Sequence, residues 1–416
     1  MASVTDTRVQ EKITYGRAFL QMMGLALFLL KLSSRRQVGF ELDSPEALEN
    51  LNRLSGCPQK TLAHNGTLDH FLGHVPPGAL EHLRRLMVHR LIRMKALEHG
   101  RLFGHHFLVV LDGTGQLFFR KRHCEHCLEK TVHGKTVYYH TVLEAKLVTP
   151  QGLAISIGSE FIENADPKAT KQDCELKAFA RLAPRLKKDF PQLLLCLCLD
   201  GLYANGTALD LCEKNHWMYF ITFKEGSLPA VWKDYQALLE ASPENRKSHT
   251  TEDGVHQTFG WVEGLEYVDD QGRQQQFNAF QCQERDGDEK GFFAWLTNFS
   301  LRPDTVATLG NQGARCRWKI ENQGFNIQKN GGFNLEHAYS TGSWQIKNFY
   351  VLLQIAHMIL QLMEQGSLLG ADCKRLFGSL RNLARRLAES FRNRLIPLEA
   401  VDPAAAAGIQ IRLNTS

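Results

Sequence analysis

Two stretches of the sequence consist of large apolar residues over the length of one β-strand. One covers residues 107–111 and ends at Asp112-Gly113, and the other covers 193–199 and ends at Asp200-Gly201. Continuous apolar runs of this length are typical of strands buried on both faces, as in sheets covered by helices. Open α/β sheets expose functional groups where such strands end. The two runs therefore predict an α/β protein with two aspartates at one edge of its sheet.

The remaining pattern predicts helices around this sheet and further strands beside it. Residues 44–99 follow a helical pattern that breaks at 76–78, and the helix after the break is amphipathic and basic, with Arg84 and Arg85 among its apolar positions. Such a basic face is either solvated or contacts DNA. The other expected elements are strands at 116–122, 136–148 and 217–223, and helices at 168–190, 305–322, 344–363 and 373–395.

Between residues 225 and 290 the composition shifts toward glutamine and charged residues. Alternating segments at 258–267 and 274–283 predict two strands, and Asp270-Gln271-Gly272 between them suits a hairpin turn. We expect this region to form an inserted, strand-rich subdomain.

Composition limits the class of protein. Of the 416 residues, 43% are hydrophobic and 22% are charged, which excludes a wholly disordered or collagen-like chain. The net charge of +5 permits nucleic-acid binding, and ten cysteines are ordinary usage for a chain kept in a reducing cytosol. The apolar run at 22–30 is too short to span a bilayer, so we expect a cytoplasmic protein without a membrane segment.

A third acidic residue lies in the string RWKIEN, where Arg317 and Glu321 share one face of a helix at i to i+4 spacing. An ordinary helix ion pair explains that spacing on its own. Together with Asp112 and Asp200, however, Glu321 completes a set of carboxylates that can hold two magnesium ions.

The segments VLDGT at 110–114, LCLDGLYANG at 197–206 and RWKIENQGFNIQKNGGFNLEH at 317–337 resemble the DDE transposases of bacterial insertion sequences, in the subgroup with an inserted β subdomain. The resemblance implies an RNase H-like mixed sheet flanked by helices, and a catalytic, metal-binding triad of Asp112, Asp200 and Glu321. It implies Mg²⁺ as cofactor, with Mn²⁺ able to replace it. The implied reaction is phosphodiester cleavage at element ends, followed by strand transfer into target DNA.

By the same resemblance, Arg317 and Lys329 grip phosphates near the cleaved end, although Ala314 stands where the family has tyrosine and Lys329 is one residue farther from the glutamate. Trp295 occupies the region where related enzymes stack a tryptophan on a flipped base, but an aromatic residue in this apolar segment is more often part of the core. The active form is expected to be a homodimer on two DNA ends, bound to terminal inverted repeats and target DNA at the bacterial nucleoid.

The domain boundaries expected from these features are a helical DNA-binding region at 1–100, to which Arg84 and Arg85 contribute, a catalytic domain at 101–370 interrupted at 225–290, and a basic helical tail at 371–416. Two alternatives remain open. One is an RNase H-like metal nuclease that cuts without joining, and the other is a non-catalytic DNA-binding protein derived from a transposase.

A tight group of metal-ligand residues lies at 123–127, with Cys124 and Cys127 at the C-x₂-C spacing that suits zinc. A second cysteine pair at matching spacing is absent from the sequence. His133 and His140 complete a tetrahedral site only if the hairpin folds back. We therefore expect a set of surface side chains flanking a turn, with zinc as the minority interpretation.

Overall fold

In a computed structural model of the chain, the described residues are 7–164, 171–366, 373–401 and 410–413. They form a mixed α/β fold, as the apolar runs predicted, with ten strands in one sheet. The strands are β1 Phe107–Phe119, β2 Leu128–Val132, β3 Lys135–Val148, β4 Ala154–Ile162, β5 Leu195–Leu199, β6 Met218–Thr222, β7 Arg246–Thr250, β8 His256–Val268, β9 Gln274–Asp286 and β10 Glu289–Thr297.

The helices of the described residues precede, interrupt and follow this sheet. They are α1 Arg17–Leu29, α2 Arg35–Glu41, α3 Pro45–Ser55, α4 Asn65–Leu72, α5 Pro77–Arg93, α6 Glu175–Asp189, α7 Gly206–Asn215, α8 Pro229–Ala241, α9 Val306–Thr308, α10 Asn326–Asn330, α11 Ser343–Gln365, α12 Cys373–Phe377 and α13 Leu380–Asn393. The helix expected at 344–363 is α11, and the one expected at 168–190 is the shorter α6, with residues 168–170 outside the described part.

The sheet has the strand order β2-β3-β1-β5-β6-β10-β9-β8-β7. The strand β4 pairs antiparallel with β3, on the edge away from β1. The pair β1–β3 is antiparallel, whereas β1–β5 and β5–β6 are parallel. The sheet is therefore mixed, with three parallel strands at its centre.

The first strand is longer than the sequence predicted. The glycine-containing stretch after Leu111 is not a turn, because β1 continues through it and stays paired with β3 as far as Phe119, with one register shift between Gly115 and Leu117. The segment expected as a separate strand at 116–122 is the second half of β1. Asp112 consequently lies in the middle of a strand and not at its end.

The strands expected at 258–267 and 274–283 are confirmed as β8 and β9. They do not stand apart from the central strands, because β9 pairs with β10 and β10 pairs with β6. Backbone hydrogen bonds thus make residues 246–297 an extension of the same sheet.

The two faces of the central strands contact different helices. Val109 and Leu111 of β1 belong to a core that includes α6, α7 and α8. Leu108 and Val110 face the opposite side, toward the helical segment 306–330. This alternation follows from the strand repeat of two residues. It places side chains at even-numbered positions of β1 and β5 on the side of segment 306–330.

A third core joins the beginning and the end of the chain. Residues of α1, α3 and α4 are buried together with residues of α11 and α13. Among the described residues, α11 is the one helix long and apolar enough to cross a membrane, but 83% of its most apolar 18-residue window is buried inside the protein. The apolar surface of α11 is therefore mostly used in packing against other parts of the protein.

Candidate active site

Asp112 and Asp200 lie at the same level on neighbouring strands. The parallel pair β1–β5 matches Val110 with Cys198, so each aspartate follows the last matched pair by two residues. Equal register in a parallel pair puts both side chains on one face of the sheet. The sheet therefore brings together two acids that are far apart in the sequence.

Backbone amides orient both carboxylates. Oδ1 of Asp112 accepts a hydrogen bond of 3.0 Å from the Gly113 N–H, and Oδ1 of Asp200 accepts one of 2.8 Å from the Leu202 N–H. The second oxygen of each aspartate, Oδ2, takes no part in that hydrogen bond. The carboxylates are held in place before any ligand binds.

Glu321 comes from a helical segment of irregular geometry on the same side of the sheet. Between α9 and α10 the backbone passes through π-helical turns at Leu309–Gly313 and Ile320–Phe325 and a 3₁₀ turn at Ala314–Arg317. Such π-helical turns are frequent at functional sites because they redirect side chains. The helix predicted at 305–322 lies at the expected position. Its geometry is irregular, however, and the helical segment continues beyond the predicted end to Asn330.

The three acids lie close enough for their charges to interact. Burial raises the pKa of Asp112 to about 6; the Arg317 guanidinium opposes this rise, whereas the carboxylates of Asp200 and Glu321 add to it. Repulsion between like charges disfavours the ionisation of all three carboxylates at once. The structure thus brings Asp112, Asp200 and Glu321 to one site.

A fourth carboxylate at this site was missed by the sequence analysis. Glu175 begins α6 and reaches the aspartates across Gly113, where a Cβ atom would collide with its carboxylate. Burial raises the pKa of Glu175 to about 7, and the charges of Asp112 and Asp200 add to this rise. The sequence shows only an acidic residue in a first helical turn, a common feature that points to no site.

Arg317 forms its ion pair with Asp112 of the site and not with an acid of its own helical segment. Its Nη1 lies 3.6 Å from Oδ2 of Asp112, and the guanidinium lies 4.6 Å from the centre of the Trp318 ring. The Trp318 side chain is 53% exposed. The site therefore has a cation and an accessible aromatic ring beside its carboxylates.

The other residues predicted to bind DNA near the site have separate surroundings. Lys329 is partly exposed in α10 and forms an ion pair of 3.3 Å with Glu336. Trp295 lies in β10, only 5% exposed, with its ring beside those of Phe280 and Phe293. Trp295 thus belongs to the core, the role that its apolar segment favoured, and its ring offers no open face to a DNA base.

Arg84 is not on the DNA-contacting face to which the sequence assigned it. It is 2% exposed, and its Nη1 donates to the hydroxyls of Ser156 and Ser159 at 2.8 and 2.6 Å. The assignment of Arg84 to DNA is wrong because helix α5 packs this side against β4. Arg85 is partly exposed and forms an ion pair with Asp189.

The histidine and cysteine group at 123–127 is also not a set of surface side chains. Cys127 and His140 are buried, and the ligand atoms of His123, Cys124, Cys127 and His140 all lie within 4.8 Å of one another. The hairpin folds back as the minority interpretation required. It brings in His140 and leaves His133 at the exposed turn between β2 and β3.

Searches against models of known protein families and against curated proteins found no match. What the four carboxylates do must therefore be inferred from their own geometry and chemistry.

Proposed function

We propose that this protein is a DDE-type DNA transposase, which cleaves phosphodiesters at the ends of a mobile element and joins the freed ends to target DNA. The observation that carries the proposal is the meeting of Asp112, Asp200 and Glu321, three acids from distant segments, beside Arg317. The sequence resemblance selected these three acids, and the fold supports the selection by bringing them together.

The strand arrangement supports an RNase H-like catalytic core. Its five strands have the order β4-β3-β1-β5-β6, with antiparallel pairing up to β1 and parallel pairing after it. In this interpretation the strands β7 to β9 are an insertion between β6 and the segment that carries Glu321. The insertion lengthens the sheet and accounts for the long gap between Asp200 and Glu321.

The donor set fits magnesium. Carboxylate oxygens are the ligands that Mg²⁺ prefers, and the raised pKa values of Asp112 and Glu175 reflect buried negative charge that a cation would offset. Asp112, Asp200 and Glu321 would hold the ions, with Glu175 as a fourth ligand. When bound, two ions would activate the attacking oxygen and stabilise the leaving oxygen of the phosphodiester, and Mn²⁺ would substitute.

The protein's own groups position the DNA. Arg317 presents a guanidinium that can bind a phosphate in two-point fashion once its weak contact with Asp112 is exchanged for one with DNA. Trp318 offers a ring on which a base near the cleaved bond can stack. Lys329 and Arg85 remain candidates for phosphate contacts, and the active form is a homodimer that holds two DNA ends.

A cleavage assay tests this function. The full-length protein is incubated with Mg²⁺ and DNA from the flanks of its own gene, and both cut and joined products are measured. Asp112→Asn, Asp200→Asn and Glu321→Gln should each abolish cleavage and leave DNA binding intact, because each removes metal charge but no phosphate contact. Asp253→Asn, at an exposed turn, serves as the matched control.

Each outcome of this assay has a distinct meaning. Joined products establish a transposase, whereas cutting without joining establishes the nuclease alternative. DNA binding with no cleavage in either metal would identify a non-catalytic DNA-binding protein. Wild-type activity in any one of the three variants removes that residue from the metal site.

A further inference from the structure

A second group of metal-ligand side chains lies at the far end of the β1–β3 pair, outside the carboxylate site. His123, Cys124 and Cys127 occupy the connection between β1 and β2, and His140 lies on β3. Strand β3 pairs with β1 at His140 and Leu117 and with β2 at Tyr139 and Leu128, so the connection between β1 and β2 turns back over His140. Three ligands from a loop and one from a strand thereby face each other.

The distances between ligand atoms suit a tetrahedral metal ion. The two sulfur atoms lie 3.2 Å apart, and Nε2 of His140 lies 3.4 and 3.6 Å from the sulfurs of Cys124 and Cys127. In His123, Nδ1 lies 3.3 Å from the Cys127 sulfur and Nε2 lies 3.3 Å from Nε2 of His140, and one of these two nitrogens would be the ligand. A tetrahedral zinc ion with bonds of about 2.3 Å to sulfur and about 2.0 Å to nitrogen separates its ligand atoms by roughly 3.3 to 3.8 Å. The observed distances are close to this range, and the two sulfurs would move apart by about half an ångström when the ion binds.

The chemistry of the four groups selects among metals. Two thiolates and two imidazoles are the ligands of structural zinc sites, whereas magnesium prefers oxygen. The sulfurs are too far apart for a disulfide, whose S–S bond is about 2.05 Å. Burial of Cys127 and His140 closes the site on the protein side.

We propose that His123, Cys124, Cys127 and His140 bind one structural Zn²⁺ ion. The ion fastens the connection at 120–127 to strand β3, which pairs with the part of β1 that carries Asp112. It therefore fixes one end of the same strand pair whose middle carries Asp112. This role is independent of the function proposed for the carboxylates.

Metal analysis of the full-length, untagged protein tests the proposal. We expect one zinc ion per chain by elemental analysis, released when the thiols are modified by a mercurial reagent. Replacement by Co²⁺ should produce the intense visible bands of tetrahedral cobalt and a sulfur-to-cobalt charge-transfer band in the near ultraviolet. The charge-transfer band reports thiolate ligation, so cobalt bound to the carboxylates would not produce it, and its absence overturns the proposal.

Substitutions locate the ion. Cys127→Ser and His140→Ala should each lower the zinc content by at least tenfold, whereas Cys57→Ser and His133→Ala should retain one ion, as should Asp112→Asn. If Cys127→Ser is insoluble, the cobalt spectrum of the unsubstituted protein still decides the question. A zinc-free protein whose mass shows a disulfide between Cys124 and Cys127 would likewise contradict the site.

Discussion

Asp112 and Glu175 are acids whose protonated forms are favoured by folding. Their pKa values are raised to about 6 and about 7, mainly by burial, whereas an unfolded chain has ordinary carboxyl pKa values near 4. Between these limits the folded state binds more protons than the unfolded state, so the free energy of unfolding falls as pH rises. Without a bound cation, the ionised carboxylates thus lower the free energy of unfolding at neutral pH. This is the behaviour expected of the proposed cation site.

The first prediction concerns this pH dependence. Glu175→Gln should raise the melting temperature of the metal-free protein at pH 8 and leave it nearly unchanged at pH 4, because only the ionised carboxylate is destabilised by burial and, in addition, by the charges of Asp112 and Asp200. Calorimetric melting curves over pH 4 to 8 provide the measurement. The exposed Glu244→Gln is the control. An equal effect of both substitutions would show that the pKa of Glu175 is not raised by its position at the site.

A second prediction distinguishes two tryptophans. Trp318→Ala should weaken binding to a DNA end by roughly 5- to 150-fold, since stacking of one base on an aromatic ring contributes about 1–3 kcal/mol. Fluorescence anisotropy with labelled DNA measures the affinity, and Trp344→Ala, another exposed tryptophan, serves as the control. Unchanged affinity in Trp318→Ala would exclude Trp318 from the DNA contact.

At the scale of elements, a buried polar network links α5, β3, β4 and α11. Ser159, bonded to Arg84, donates in turn to Glu144 at 2.6 Å, and Tyr350 of α11 donates to the same carboxylate at 2.9 Å. Glu144 also lies 3.7 Å from the Nζ of Lys146. Buried charges are tolerated only when they are paired and hydrogen-bonded. The network therefore determines how α5 and α11 sit on the sheet.

The same network reaches the segment that carries Glu321. The Nζ of Lys146 donates to Oε1 of Gln354 at 2.6 Å, and Gln354 also accepts from Gln328 of α10. Gly324 allows this approach, since a Cβ atom there would lie 3.1 Å from the Lys146 side chain. Contacts beneath the site thus hold the irregular helix on the sheet.

The third prediction follows for the two arginines of α5. Arg84→Met should lower the free energy of unfolding by about 2 kcal/mol, because it leaves the buried hydroxyls of Ser156 and Ser159 without the donor that they share. Arg85→Met should cost less than about 1 kcal/mol, as expected for a partly exposed ion pair. Urea denaturation measures both values. A larger loss for Arg85→Met than for Arg84→Met would contradict the assignment of Arg84 to the network.

At the scale of the whole molecule, the N-terminal helices are part of the structure that supports the sheet. Phe19, Leu20 and Met23 of α1 are fully buried in the core that α11 and α13 complete. Asn348 of α11 donates to the carbonyls of Leu72 and Val75, both at 2.7 Å. The helices before the sheet and those after it therefore depend on one another.

The fourth prediction concerns a truncation. A chain without residues 1–100 should be insoluble or lack a cooperative unfolding transition, because it exposes the apolar face of α11 to water, at about 25 cal/mol per Å² of newly exposed apolar surface. Solubility and thermal melting followed by circular dichroism measure this outcome. A soluble truncation with a sharp transition would instead show that the sheet and the helices after it fold without the N-terminal region.

The sequence by itself determined the α/β class and pointed to three of the four carboxylates that the fold brings together. The apolar runs before Asp112 and Asp200 are local signals of buried strands, and the string around Glu321 carries its own resemblance. Helix α11 and strands β8 and β9 were predicted for the same reason, since the apolar periodicity of each lies within its own consecutive residues. The family and its reaction stay predictions that the cleavage assay tests.

Tertiary structure alone decided the features that depend on contacts between distant segments. Glu175 joins the site because α6 begins opposite Gly113, and Arg84 turns inward because β4 presents two serines to it. The same holds for the choice of His140 over His133, which depends on the register of β3 against β1 and β2. Local periodicity reports which face of an element is apolar, but which neighbour that face meets is settled by the simultaneous packing of the whole chain.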